Sequence, residues 1–195
     1  MKVNSHYVGS ELKPYQITIT ARNSMNFASA VSDNNPRYFD DLRENGILAH
    51  PMQAVAVTWP IIEQIQDYLE IKDFPVEILA TQVHYTEHLI IHRLMRPGDQ
   101  LLIKGKIAAI LPHRSGTHMV TCLEAFDQDN KPVFTEYMGG MMRGVECNDG
   151  GSGQENLPMV NVNRFEGSPS WESAIVIDPM LPYVYDGCTG IHFPI

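Results

Sequence analysis

Apolar positions along the chain recur in two rhythms, one of helical spacing and one of alternation. From Glu11 to Ala21, ELKPYQITITA, β-branched residues crowd at Ile17, Thr18, Ile19 and Thr20, which predicts an entry strand or extended arm. The next stretch, Arg22 to Val31, spaces Met25, Phe27, Ala28, Ala30 and Val31 as one helical face would. A short helix is expected there, running into AVSDNNPRYFDD at its C-terminal end. From His50, HPMQAVAVTWPIIEQIQDYLE is apolar on nearly all sides up to Trp59. Beyond that it is amphipathic, with Ile61, Ile62, Ile65, Tyr68 and Leu69 set against Glu63, Gln64, Gln66 and Asp67. A helix that is apolar all round belongs in a core. Pro51 suits a first turn, whereas Pro60 is expected to kink or divide the helix, since it removes a hydrogen bond from its interior.

After Phe74-Pro75 the composition turns to Val, Ile, Thr and Tyr, and strands are expected to about residue 145. VEILATQVHY comes first, and the turn RPGD at Arg96 to Asp99 precedes QLLIKGKIAAIL. The RSG turn at Arg114 to Gly116 leads to THMVTCLEAF, and DQDNKP loops back to VFTEYMGGMMRGV. These turns carry the Gly, Pro, Asn and Asp residues that hairpins need. One buried helix followed by consecutive antiparallel strands implies an α+β fold, a sheet wrapped around a long central helix. Asn148 to Pro158, NDGGSGQENLP, is polar and glycine-rich, which predicts a flexible linker over 148–170 between a domain at 1–147 and a tail at 171–195. The tail offers a short strand, WESAIVI, and is too small for a core of its own.

Composition narrows the partners. With 44% apolar and 19% charged residues in a chain of 195, the protein is globular in character. A net charge of -9 argues against a broad nucleic-acid or anionic-membrane surface. Cys122, Cys147 and Cys188 are odd in number, far apart and without a CxxC pair, so a reduced cytoplasmic setting is expected and a thiolate zinc site is not. The start lacks the apolar core of a signal peptide, and no run reaches the roughly 20 apolar residues of a membrane helix.

The candidate chemistry lies in FASAVSDNNPRYFDD, in ILAHPM at the head of the buried helix, and in RPGDQLLIKGKI. In that order, over Gly9 to Val145, these segments resemble the N-terminal half of a MaoC-like acyl dehydratase, a family of hotdog fold related to (R)-specific enoyl-CoA hydratases. The resemblance implies a 2-enoyl thioester of coenzyme A as substrate, no other cofactor and no metal. It also implies a homodimer, or pairing with a catalytic hotdog half. Asp33 matches the family's catalytic Asp, Asn35 and Pro36 its structural Asn-Pro, and Ser32 replaces a Gly. Tyr38 stands where the family has its catalytic His, and a phenol near pKa 10 is a poor base at neutral pH where an imidazole is a good one. Where the family reads His-Gly, this chain reads His50-Pro51, and Pro51 has no N-H for a thioester oxyanion. Both departures imply a non-catalytic acyl-binding half. An acyl-CoA thioesterase and a binding module without chemistry are the alternatives.

The tail WESAIVIDPMLPYVYDGCTGIHFPI resembles the opening of a second hotdog copy, with Phe193-Pro194-Ile195 aligning to Asn-Pro-Ile just before the catalytic His. A truncated second unit is therefore expected. Other residues carry two readings each. Asp33 and Asn35 also suit a helix stop and an Asn-Pro turn. His50 and Trp59, at and inside the buried helix, either touch substrate or belong to the core. Arg93 and Arg96, with Lys104, Lys106, His113 and Arg114, either pair the phosphates of coenzyme A or guard strand edges against aggregation. His84, His88 and His92 would lie about 13 Å apart on a strand, too far to share a metal ion. Met138, Met141 and Met142 around Gly139-Gly140 suit strand packing.

Overall fold

The computed structural model describes residues 1–160, 167–168 and 170–192. Two short strands, β1 (Lys2–Val3) and β7 (Glu146–Cys147), pair in parallel. The main sheet is antiparallel and has the order β2 (Glu11–Thr18), β4 (Gln100–His113), β5 (Gly116–Phe126), β6 (Pro132–Arg143), β3 (Gln82–Ile91). The turns fall where their residue types predict, although RPGD is a connection from β3 across the sheet to β4 and not a hairpin. RPGD is closed by Arg93 and by the Arg96 amide on Asp99, and DQDN by the Asp129 and Lys131 amides on Asp127.

Helix α1 (Ala21–Ala30) is started by the Thr20 hydroxyl, which accepts from the Asn23 amide at 3.1 Å. Helix α2 (Gln53–Glu63) lies against the sheet, and α3 (Ile65–Tyr68) adds one turn. The core joins Val57, Ile61 and Ile65 of these helices to Ile103, Ile107, Leu123 and Phe134 of the sheet. Burying side chains of this size contributes about 1.5 to 3 kcal/mol each, so the helix–sheet interface is a main source of stability.

Five expectations need correction. The central helix passes through Pro60 and breaks four residues later, at Gln64, whose φ of -115° and ψ of 33° leave the helical region. It is also buried along one stripe only, Gln53, Ala54, Val57, Thr58 and Ile61, with Val55, Ala56, Trp59 and Ile62 half-buried. The apolar run was wider than the face the sheet can cover. Val76–Thr81 is not strand but 3-10 helix, ended by the Thr81 hydroxyl on the Ile78 carbonyl at 2.7 Å, and only Ile78 of the segment is fully buried. The strand begins at Gln82 instead and runs on through EHLII.

The expected flexibility gives way at its first part. Residues 149–157 are clasped along the edge of β4 beyond its pairing with β2, with Ser152 bridging Ile110 and the Asn156 side-chain amide donating to the Ala108 carbonyl at 2.9 Å. Asp149 accepts from the amide and hydroxyl of Ser5, both at 2.8 Å. Gly153 has φ of +89°, and a side chain there would strike the Ala108 carbonyl. The glycines serve close approach and left-handed backbone here, not looseness. Finally, WESAIVI forms no strand. Ile175, Val176 and Ile177 are exposed, and a helix follows, α4 (Leu181–Thr189), packed against α1. Residues 193–195, with the expected Asn-Pro-Ile counterpart, lie outside the described residues.

Candidate functional site

The motif AVSDNNPRYFDD begins as a helix end. Ser32 adopts φ of +57°, its amide donates to the Ser29 carbonyl, and the Asp33 amide donates back to Ala28 at 2.9 Å. This is a left-handed helix stop, which normally takes Gly and in which a residue with a side chain is strained. The Asp33 carboxylate then turns the chain, with Oδ1 accepting from the Asn35 amide at 3.0 Å. Asn35 in turn accepts from the Arg37 amide and caps the single turn Pro36–Tyr38. Local hydrogen bonding thus leaves Asp33 Oδ2 free to face inward.

It faces His50. Nε2 of His50 lies 3.6 Å from Asp33 Oδ2, beyond a good hydrogen bond but within electrostatic reach. The imidazole sits between Phe27 and Tyr38, with ring centroids at 5.6 and 5.2 Å, and both aromatic residues are buried. Its Nδ1 accepts from the Met52 amide at 3.2 Å, so the proton of the neutral ring resides on Nε2, toward Asp33. Burial lowers the His50 pKa below the ordinary histidine value, and the Asp33 charge opposes that only partly.

The head of the central helix is therefore occupied. Pro51 has no N-H, the Met52 amide is held by the His50 ring, and the Gln53 amide donates to the His50 carbonyl at 2.9 Å. Preorganised backbone donors for an oxyanion need to be unspent.

The structure brings Asp33, Asn35, Tyr38 and His50 together and places the other candidate residues elsewhere. Trp59 lines a cavity of about 710 Å³ between α2 and β3, with Ile62, Val76, Leu79, Val83 and Met138. Arg93 is clamped between Asp99 at 2.7 Å and Asp127 at 3.2 Å. Arg96 donates to the Asn45 carbonyl at 3.0 Å, in the loop leading to the central helix. Among the described residues no group of three His, Cys, Asp or Glu is arranged to hold a metal ion, and no helix is long and apolar enough to cross a membrane.

Two features escaped sequence reasoning. The first is the sealing of His50 Nδ1 by Met52. The second is a pair of buried carboxyls, Glu87 and Glu136. Glu136 sits in phase with Phe134 and Met138 along an alternating strand, so a charge at an inward position was the available signal.

A sheet curved over a central helix, with an Asp-x-Asn-Pro turn aimed at the head of that helix, defines a hotdog protein of the dehydratase and hydratase type. A family profile described as FAS1-like, dehydratase domain region, matches residues 6–136, and the chain belongs to that family. Its fold is similar to that of a MaoC-like dehydratase from Phytophthora capsici, with TM-score 0.74 and 18% identity over 93% of this chain and 62% of that one. The chain thus spans less than two thirds of that structure's length. It is also similar to the C-terminally truncated HadBC (3R-hydroxyacyl-ACP dehydratase) complex from Mycobacterium tuberculosis, with TM-score 0.59 and 16% identity over 71% of this chain and 99% of that one. For the R-hydratase PhaJ1 from Pseudomonas aeruginosa the TM-score is 0.52 and the identity 18%, over 80% of this chain and 92% of that one. No curated protein sequence matches the chain.

Proposed function

We propose that this chain is an acyl-thioester-binding hotdog half of the MaoC-like type, which leaves the hydration or dehydration step to a catalytic partner half. The observation that carries this reading is the occupied helix head: Pro51 has no donor, and the Met52 amide is held by His50. A thioester carbonyl placed beside Asp33 would meet no unspent donor from Pro51, Met52 or Gln53, and losing one such donor costs about 3 to 4 kcal/mol of barrier. Tyr38 adds to this, since a buried phenol replaces the proton-handling imidazole expected at its position. The Asp33–His50 contact does not restore that function, because the imidazole lone pair is engaged and only the Nε2 proton faces the site. The same lack of donors weighs against a thioesterase.

In this reading the acyl chain of a coenzyme A thioester lies in the cavity beside α2, with Trp59 and Ile62 in its wall. The second hotdog is another copy of the chain or a catalytic half, and the tail from Trp171 belongs with that second unit. The expected result is negligible hydration of crotonyl-CoA by the chain alone, together with calorimetric binding of longer acyl-CoAs that Trp59→Ala weakens. Robust hydration that Asp33→Ala abolishes would sink the proposal.

A further inference from the structure

Glu136 lies on the inward side of β6 between Phe134 and Met138, with no exposure to solvent. Its polar neighbours are Glu87 on the edge strand β3 and Thr58 on α2. The Thr58 hydroxyl is directed at the carbonyls of Ala54 and Val55, at 3.2 and 3.1 Å. None of the four carboxyl oxygens of Glu87 and Glu136 has a well-formed hydrogen bond. The register pairs Leu89 with Glu136 and Glu87 with Met138, which makes the two glutamates diagonal neighbours on one face of the sheet.

Few other titratable groups face them. On β3 there is His84, whose Nε2 lies 3.9 Å from Glu87 Oε2 at the solvent edge. On β5 the residue opposite Glu136 is the uncharged Leu123, and the buried Cys122 thiol lies on the other face of the sheet with Tyr137. Helix α2 presents only the uncharged Thr58. Neither carboxyl makes an ion pair with a lysine or arginine among the described residues.

Two carboxyls in a dry site without a cation do not both ionise, and their protons leave as a coupled pair. Burial pushes Glu87 up to about 7, against a smaller opposing effect from Glu136. Burial, then the charge of Glu87, raises Glu136 well above the usual carboxyl range. The pair sits where three elements meet: the edge strand, the interior strand and the central helix. The cavity between α2 and β3 is next to it, walled by Met138, the cross-strand partner of Glu87, and by Trp59, the neighbour of Thr58.

We propose that Glu87 and Glu136, packed under Thr58, are a proton-operated latch on this cavity: the protonated pair holds β3 against α2, and loss of its protons frees the edge strand. The first proton leaves Glu87 for solvent past His84, and Glu136 then donates to the Glu87 carboxylate. Loss of the second proton sets two like charges side by side in the core and drives Glu87 outward. The latch works on the cavity whatever the cavity binds.

Trp59 reports the event directly. The chain has two tryptophans, and the other, Trp171, is 80% exposed. In the full chain carrying Trp171→Phe, Trp59 emission is followed without denaturant from about pH 5.5 to about pH 9, with far-ultraviolet circular dichroism recorded alongside. The expected result is a red shift and rising acrylamide quenching that set in near pH 7, while the dichroism stays constant. Glu136→Gln and Glu87→Gln, added separately, remove a titrating proton and are expected to displace or abolish the shift. Glu87→Gln, at the half-buried edge position, serves if Glu136→Gln does not fold. An emission that does not change with pH overturns the latch. So does an identical transition in a glutamine variant, or one that coincides with loss of dichroism.

Discussion

Two carboxylate sites flank the central helix, and they are opposites. Asp33 is 37% exposed, its Oδ1 is held by a backbone amide, and an imidazole stands by its Oδ2. Glu136 is sealed from solvent, and its polar neighbours are another acid, Glu87, and the Thr58 hydroxyl. The Asp-x-Asn-Pro site is thus a turn carboxylate beside a histidine whose lone pair is already engaged. The site with strongly perturbed acids lies in the core, where no motif points. Perturbed titration points to a functional site, and here it points away from the turn motif and into the core, to Glu87 and Glu136.

The pH dependence of stability separates the two sites most strongly. A glutamate titrates near 4.3 in the unfolded chain. In the folded chain Glu87 is raised to about 7 and Glu136 well above its ordinary value, so their contribution is complete at low pH and is lost as pH rises through those raised values. Each proton held only by the folded state gives a slope of about 1.4 kcal/mol per pH unit. Urea unfolding between about pH 6 and pH 8 should therefore show the Glu136→Gln slope shallower than that of the unmodified chain by about that amount. Equal slopes would mean that the core pair is ionised or solvated after all.

At the Asp33 turn the expected effect is smaller. Ser32→Gly relieves a side chain held at φ of +57° and should raise stability by about 1 kcal/mol. A loss instead would show that the Ser32 side chain makes a compensating interaction.

The smallest effect is a shift in titration. Histidine that is buried neutral contributes its stability above its unfolded pKa near 6.5 and loses it as pH falls, the reverse of the glutamate pair. The His50 imidazole, followed by NMR, should titrate below the ordinary histidine value, and Asp33→Asn should lower the midpoint further by removing the opposing charge. An unchanged midpoint in Asp33→Asn would show that the 3.6 Å contact carries no electrostatic coupling.

Much of the fold was legible because it is written locally. Alternation located β4, β5 and β6, and turn residues located their connections. The Asp-x-Asn-Pro stretch located a helix stop from its own hydrogen bonds. What was not legible depends on partners distant in sequence. WESAIVI has strand chemistry but pairs with no strand among the described residues, and Val76–Thr81 has strand residues in a segment that buries one side chain in a 3-10 turn. NDGGSGQEN reads as slack until β4 is seen beneath it. His50 and Asp33 meet through tertiary packing, and the sealing of Nδ1, although local, depends on the conformation of Pro51 and Met52, which composition does not encode.

The parallel pairing of β1 with β7 and the bonds from Ser5 to Asp149 bear on the order of events during synthesis. These partners are 144 residues apart, so the first strand cannot dock until nearly the whole described sheet has been made. At translation rates of about 5 to 20 residues per second, the opening residues wait roughly 7 to 30 seconds for their partners. Over that interval the hairpins of β4, β5 and β6 can form from neighbouring residues, while the amino-terminal segment is open to chaperones and proteases. The clasp therefore closes after the hairpins of the main sheet, and among the described elements only the packing of α4 on α1 has to wait longer.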